Sequence, residues 1–515
     1  MTIKPKKMGS NSGRIVKNTV ALYGRSLIVL AVSLYTSRVI LNALGVEDYG
    51  LYNVVGGVIS MLGFLNTTMM ATYQRYFNVA MGEGHEQEVK PLFQSALTVQ
   101  LLLALAVVVL GETLGLWFLN NKLVIPEGRL HAAQILYQVS IASFVISVFK
   151  APFGSLITAY EKMSIYAVFS IIETILKLGI VFVVMVAQCD KLILYSFLIL
   201  LITITDFSLY VVYCKRKIPT TSIRFNWSKD TLKKMLSFSA WSTIGTLAYT
   251  MKSQGLNIVL NLFFGTVVNA ARGVAYQILN AVNQFIHSFQ TAFRPQLTKL
   301  YASGDYTAAM RLYYGATKLS YYLIFTISLP ILIETPFILH LWLGNAVPEY
   351  AVVFTRIVLL TAFVSAFANP TTGIAYATGD IKKFSILVSV FNLMIVPVAY
   401  LFLKLGYGPA SAMVVSLVIT IVVQVIRLIV VSNMTVLKVG DYMKHVVFPV
   451  GVYSLLCVAG PMAVKYFMPS GWLRMLLVLA VTAISSLGFA WLVGLNKEER
   501  KFVSSKVQSI IKRNK

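Results

Sequence analysis

The sequence predicts an all-α polytopic membrane protein of about 14 transmembrane helices, arranged as two six-helix lobes followed by two C-terminal helices. Three observations lead there. The 515 residues are 57% hydrophobic and only 12% charged, with a mean hydropathy of +0.75, whereas a soluble domain carries about 25% charged residues. Apolar runs long enough to cross a bilayer recur along the chain. A motif that ends the first run also returns about 220 residues later, at the end of the seventh.

The first run, 18–44, is apolar apart from Arg25 and Arg38. It exceeds the roughly 20 residues needed to span a bilayer. The polar stretch before it is too long for a typical secretory signal and no small-residue cleavage site follows, so this span is expected to be retained. Runs at 50–73, 91–119, 131–158, 164–187 and 191–213 complete a first lobe over residues 1–213. Residues 214–234, CKRKIPTTSIRFNWSKDTLKK, read as a basic cytoplasmic linker. A second lobe, 235–432, holds runs at 235–263, 268–293, 311–343, 351–378, 384–404 and 409–432. The last two runs, 443–465 and 472–494, and a basic tail make up 433–515.

A formal net charge of +25 would suggest a nucleic-acid partner in a soluble protein. Here most lysines and arginines sit in short connections between apolar runs, a pattern of membrane topology that leaves no nucleic acid to expect. The connections on the side of the N-terminus carry 29 cations and those on the opposite side 6. The positive-inside rule therefore places both termini in the cytoplasm. The linker cations can also hold anionic membrane lipids. Cys189, Cys214 and Cys457 lie far apart, with no CxxC or Cys/His cluster. Neither a disulfide framework nor a metal site is indicated.

The halves resemble each other. ILNALG, Ile40 to Gly45, ends span one, and VLNLFFG, Val259 to Gly265, ends span seven. Gly84 aligns with Gly304, and KAPFGSLITAYEK from Lys150 with NPTTGIAYATGDIK from Asn369. Because six spans is an even number, the repeats share orientation, which suits two bundles rocking about a central site.

Nine cations lie within spans: Arg25, Arg38, Lys150, Lys177, Lys252, Arg272, Lys318, Arg356 and Arg427. A cation near mid-bilayer costs on the order of 2.5–3.5 kcal/mol on insertion scales, so it faces a bundle interior, a wet cavity or an anionic partner. Arg25, Arg38, Lys252 and Arg272 occupy early helices of the two repeats and are the candidate ligands for an anionic head group in a cationic central cavity. The competing reading has each of them snorkel to a lipid phosphate or meet a buried carboxylate. Glu173 and Lys177 have the spacing of an intrahelical ion pair. Asp206 has no partner in its own turn, so it is either paired across helices or a site for H⁺ or Na⁺. Asp206 and Glu173 are thus the candidate coupling residues, with no catalytic residue and no other cofactor indicated. His287 reads as a packed histidine or a titrating switch. Pro152, Pro330, Pro370 and Pro397 imply kinks or unwound turns.

The stretch SLYTSRVILNALGVEDYGLYNVVGGVISMLGFLN, followed by MATYQRYFNVAMGEG, closely resembles the N-terminal region of Wzx-type polysaccharide flippases of Bacteroides-like bacteria. That family shares a superfamily with the MATE multidrug exporters and the lipid II flippases. The match is strongest over residues 14–95. The resemblance implies a MATE-like fold, residence in the bacterial inner membrane, and export of undecaprenyl-diphosphate-linked oligosaccharide for O-antigen or capsule, alongside other polysaccharide assembly proteins. In lipid II flippases early arginines are associated with the diphosphate, and Arg25 and Arg38 are similar in placement.

Two other classes stay open. A multidrug exporter would share the fold, but a cavity with four cations suits cationic drugs poorly. A polytopic enzyme of polysaccharide assembly would need catalytic carboxylates on a sizeable outer loop. Glu47, Asp48, Glu127, Asp190 and Glu349 are instead scattered over short outer loops, singly or in one pair. No GxGxxG, P-loop or HExxH motif is present, so ATP is not the evident energy source.

Overall fold

The computed structural model describes residues 11–82, 85–160, 162–378, 382–495 and 500; for 11–28, 237–246, 287–296 and some single positions it describes the backbone and not the side chain. Among the described residues every regular element is helical, and twelve helices are long and apolar enough to cross a membrane. Two of the twelve, Val29–Ser60 and Thr250–Gln284, are interrupted by a glycine at positive φ. Each runs from one span of the fourteen-span sequence count into the next. The structure thus joins what the sequence count separates.

Contacts group the chain into two compact units, one ending at Ala270 and the other beginning at Ala271. The first unit holds α1 (Asn11–Ser60), α2 (Gly63–Gly82), α3 (Glu86–Leu110), α4 (Leu116–Asn121), α5 (Leu130–Ala159), α6 (Met163–Val186), α7 (Lys191–Lys217) and most of α8 (Lys229–Ala302). Helix α5 lies against α2, α3 and α7, and α1 against α6. Lipid tails are as apolar as leucine, so burial alone does not hold such helices together; close packing and interhelical hydrogen bonds do. An aromatic core provides the packing: Phe93 meets Phe153 edge-to-face at 5.1 Å and Phe153 meets Phe207 at 5.9 Å. The basic linker is fastened to this unit, where Thr98 Oγ1 donates to Asn226 O and accepts from Asn226 N, both at 3.0 Å.

The second unit holds α9 (Tyr306–Ile333), α10 (Thr335–Leu343), α11 (Ala351–Ser365), α12 (Ala368–Ala377), α13 (Lys382–Leu393), α14 (Ile395–Lys404), α15 (Ala410–Met434), α16 (Val439–Tyr442), α17 (Phe448–Phe467) and α18 (Trp472–Phe489). Helix α15 packs on α11, α13 and α14, and α9 on α17 and α18.

Proline acts unevenly. The α11–α12 and α13–α14 junctions lie just before Pro370 and Pro397, which cannot donate to the carbonyls four residues back. Pro330 stands three residues before the end of α9. Pro152, by contrast, sits inside an unbroken α5, so the expected unwinding is absent there.

Candidate functional site

The recurring motif marks a backbone event. Gly45 adopts φ 80° and Gly265 φ 72°, each breaking one long helix. A side chain at either position would be strained, which is why glycine closes both ILNALG and VLNLFFG. Gly304 is also at positive φ, 80°; its partner Gly84 lies outside the described residues.

Around the Gly265 break, within the first unit, a seam of buried amides forms. Asn257 and Asn261 are four residues apart and share a helix face. The Asn257 amide donates to Asn53 O at 3.2 Å, while Asn269 Nδ2 donates to Asn257 O at 2.7 Å and to its Oδ1 at 2.8 Å. Asn261 is fully buried and pairs twice with the backbone of Val124, accepting at 3.0 Å and donating at 3.2 Å. Small residues let the backbones approach: a Cβ built on Gly50 would stand 2.0 Å from Thr266 O. In hydrocarbon such amides have no water to fall back on, so these bonds tie the segments together, while Asn269 Oδ1 stays buried without a hydrogen bond among the described residues.

Charged groups form a second layer. Lys150 on α5 donates to Asp206 on α7 at 2.6 Å, and Asp206 is 5% exposed. Asp206 is thus paired across helices, with Lys150. Lys177 donates to Glu173 at 2.6 Å, as the spacing predicts. Asp48 and Asp190, scattered in the sequence, are brought together by Arg129, which holds Asp48 through Nε and Nη2 and Asp190 through Nη1 and Nη2. Asp190 also caps α7 by accepting from the amides of Leu192 and Ile193. The Arg129 guanidinium holds the Asp190 carboxyl below the usual carboxylate range, and Asp190 in turn pushes Arg129 up.

The four proposed substrate cations are placed as follows. The side chain of Arg25 lies outside the described residues, as does that of His287. Arg38 is exposed on α1, about two turns before the Gly45 break. Lys252 is half-buried on α8, one turn ahead of Asn257. Arg272 is 5% exposed, its guanidinium 4.0 Å from the centroid of the Tyr276 ring. Among the other spanning cations, Lys150 and Lys177 hold carboxylates. Lys318, buried on α9, donates to Gly494 O at 3.1 Å. Gly494 is the last residue of a π-helical turn, 490–494, and the terminal carbonyls of a helix are open to accept from elsewhere.

Helices long and apolar enough to cross a membrane, two of them broken at glycine, with a seam of buried amides and ion pairs between helices, define a polytopic helical membrane protein. The chain belongs to the polysaccharide biosynthesis protein family, whose model matches residues 15–301. The resemblance of its N-terminal stretch to that family is thereby borne out. The uncharacterized membrane protein EpsK of Bacillus subtilis (strain 168) is 21% identical over 295 residues, 57% of this chain; the match spans 58% of that relative. In fold, the chain is similar to the lipid II flippase MurJ in an inward closed conformation, with a TM-score of 0.69, 12% identity, and 92% of this chain and 98% of that one covered. It is also similar to an inward-facing multidrug resistance MATE family transporter of the MOP superfamily, at a TM-score of 0.64, 14% identity, and 79% and 98% coverage.

Proposed function

We propose that this protein is a flippase that carries undecaprenyl-diphosphate-linked oligosaccharide repeat units from the inner to the outer leaflet of the bacterial inner membrane, for a surface polysaccharide such as O-antigen or capsule. One observation carries the reading: the family match over residues 15–301 takes in all four candidate substrate cations, Arg25, Arg38, Lys252 and Arg272. A diphosphate keeps its charge whatever sugar follows it. Fixed cations therefore hold the common part of the substrate, and arginine adds bidentate geometry. Charge-assisted contacts contribute roughly 1.5–3 kcal/mol each, so Arg25→Ala lowers transport by about one to two orders of magnitude where the contact is rate-relevant. Arg25→Lys, which keeps the charge and loses the fork, is intermediate.

Coupling to H⁺ or Na⁺ would run through Asp206 or Glu173. Each carboxylate already holds a lysine at 2.6 Å, so a coupling ion has to compete with an ammonium. Drug export is the second reading, favoured by the likeness to the MATE fold and disfavoured by the sign of the spanning charges. The excess of loop cations on one side supports a cytoplasmic location for both termini. Lys217→Cys is then labelled only from the cytoplasm and Lys122→Cys only from outside; the reverse would overturn the orientation.

Two experiments separate the parts. Purified protein in proteoliposomes should move lipid-linked oligosaccharide across the bilayer, and failure to do so under any ion gradient removes the flippase reading. In a flippase-null strain complemented at matched protein level, wild-type surface polysaccharide from the Arg25→Ala, Lys252→Ala double variant removes the site while leaving the activity standing.

A further inference from the structure

A cavity of about 340 Å³ opens in the second unit where α9 passes into α10 and the α17–α18 connection runs past them. Its apolar lining comes from Ile333, Pro336 and Phe337, and its polar lining from Lys465, Arg474, His340 and Ser470. Phe337 packs edge-to-face on Trp472 at 5.9 Å beside it. The two cations are held by scaffolding. Arg474 Nη2 donates to Glu334 at 2.7 Å and Nη1 to Met468 O at 3.2 Å. Lys465 Nζ donates to Ile333 O at 3.3 Å, one of the terminal carbonyls that α9 cannot satisfy internally.

Glu334 is 1% exposed and cancels one of the two positive charges, which leaves the cavity net cationic. Donors also remain. A guanidinium has five N–H groups and an ammonium three, and the bonds to Glu334, Met468 and Ile333 use one donor each. Arg474 Nε is buried and makes no hydrogen bond among the described residues, so it is not among the donors open to a ligand. The location adds weight, because the loop charges assign Lys465 and Arg474 to the cation-poor face. Two of the six cations on that face converge on one cavity, where the topology rule gives no reason for any.

We propose that this cavity binds a phosphate ester, with Lys465 and Arg474 on the phosphate oxygens and the apolar lining against the attached chain. A phospholipid headgroup and free inorganic phosphate offer the same oxygens. The site is independent of what the protein transports and of Arg25 and Lys252.

Native mass spectrometry of the full-length protein, exchanged into detergent with phosphatidylglycerol, diacylglycerol or inorganic phosphate, tests it. Wild-type protein is expected to retain one more phosphatidylglycerol than Lys465→Gln or Ser470→Trp, the latter adding bulk to the cavity lining without removing a charge. Lys465→Gln should bind that molecule about tenfold or more weakly, the loss expected for one charge-assisted contact, and Ser470→Trp should weaken it at least as much by occupying the space. Displacement of the lipid by inorganic phosphate shows that the phosphate group suffices; resistance to displacement together with no retention of diacylglycerol assigns the site to a lipid phosphate. Equal retention of diacylglycerol, or equal phosphatidylglycerol stoichiometry in wild type and Ser470→Trp, overturns the proposal. Should Lys465→Gln unfold, Ser470→Trp decides the matter by itself.

Discussion

Lys150 Nζ and Asp206 Oδ2 meet at 2.6 Å across α5 and α7, with the aspartate side chain 6% exposed and the lysine 32% exposed. The lysine also lies 5.3 Å from the centroid of the Tyr210 ring. Removing one partner of such a pair leaves the other charge in low dielectric, at a cost on the order of 3 kcal/mol. Asp206→Asn and Lys150→Met should each lower the thermal midpoint and protein abundance, while the double variant recovers most of the loss. Full abundance of Asp206→Asn with transport abolished would instead make this aspartate a coupling site.

Glu173 and Lys177 on α6 are more open, with side chains 32% and 45% exposed. Inside a span that exposure is not to bulk water, so what matters is that each charge stays neutralised by the other, which an exchange of the two residues preserves. Exchanging the two residues should therefore leave abundance within twofold of wild type. A Glu173→Gln variant of normal abundance whose export responds to external pH or Na⁺ differently from wild type would identify a coupling role.

The Asp48–Arg129–Asp190 group gives a pH signature. Arg129 depresses the Asp190 carboxyl. The stabilisation is therefore complete above the unfolded aspartate value of about 3.9 and is lost as pH falls through the lower folded value. The gap in thermal midpoint between wild type and Asp190→Asn should stay constant from pH 8 to about pH 5 and close only below about pH 4. A gap that already narrows between pH 7 and 6 would show that the carboxyl is not depressed.

What was legible in the sequence was local or periodic. Long apolar runs declared the spans because a bilayer demands length and hydropathy together. The pairing of Gly45 with Gly265 was legible because only glycine takes the positive φ each break needs, and Glu173–Lys177 because helical spacing sets four-residue neighbours face to face. The contacts of Arg129 with Asp48 and Asp190 join residues 81 and 61 positions apart, and Lys318 reaches Gly494 across 176. No spacing rule reaches that far. Asn257 and Asn261 did carry a signal, two amides on one face of an apolar helix, but an amide bears no charge to draw attention to a span.

The approach of α1 to α8 gives the sharpest test of the seam, because two glycines six residues apart on α1 face different surroundings. A Cβ on Gly50 would fall 2.0 Å from Thr266 O and 2.6 Å from its carbonyl carbon, whereas a Cβ on Gly56 would meet nothing within 4 Å. Backbone cannot swing aside as a flexible side chain can, so Gly50→Ala must push the helices apart and strain the neighbouring bonds of Asn257 to Asn53 and Asn269. Overpacking of this kind costs about 1–3 kcal/mol. Gly56→Ala, with open space and helical φ, should be neutral or stabilising by roughly 0.5–1 kcal/mol, since it removes glycine's excess unfolded-state freedom. Thermal midpoints of the two purified variants in one detergent measure the contrast directly. Equal midpoints would show that α1 and α8 do not rest at this separation, and with it would go the reading of the asparagine seam as a closed contact.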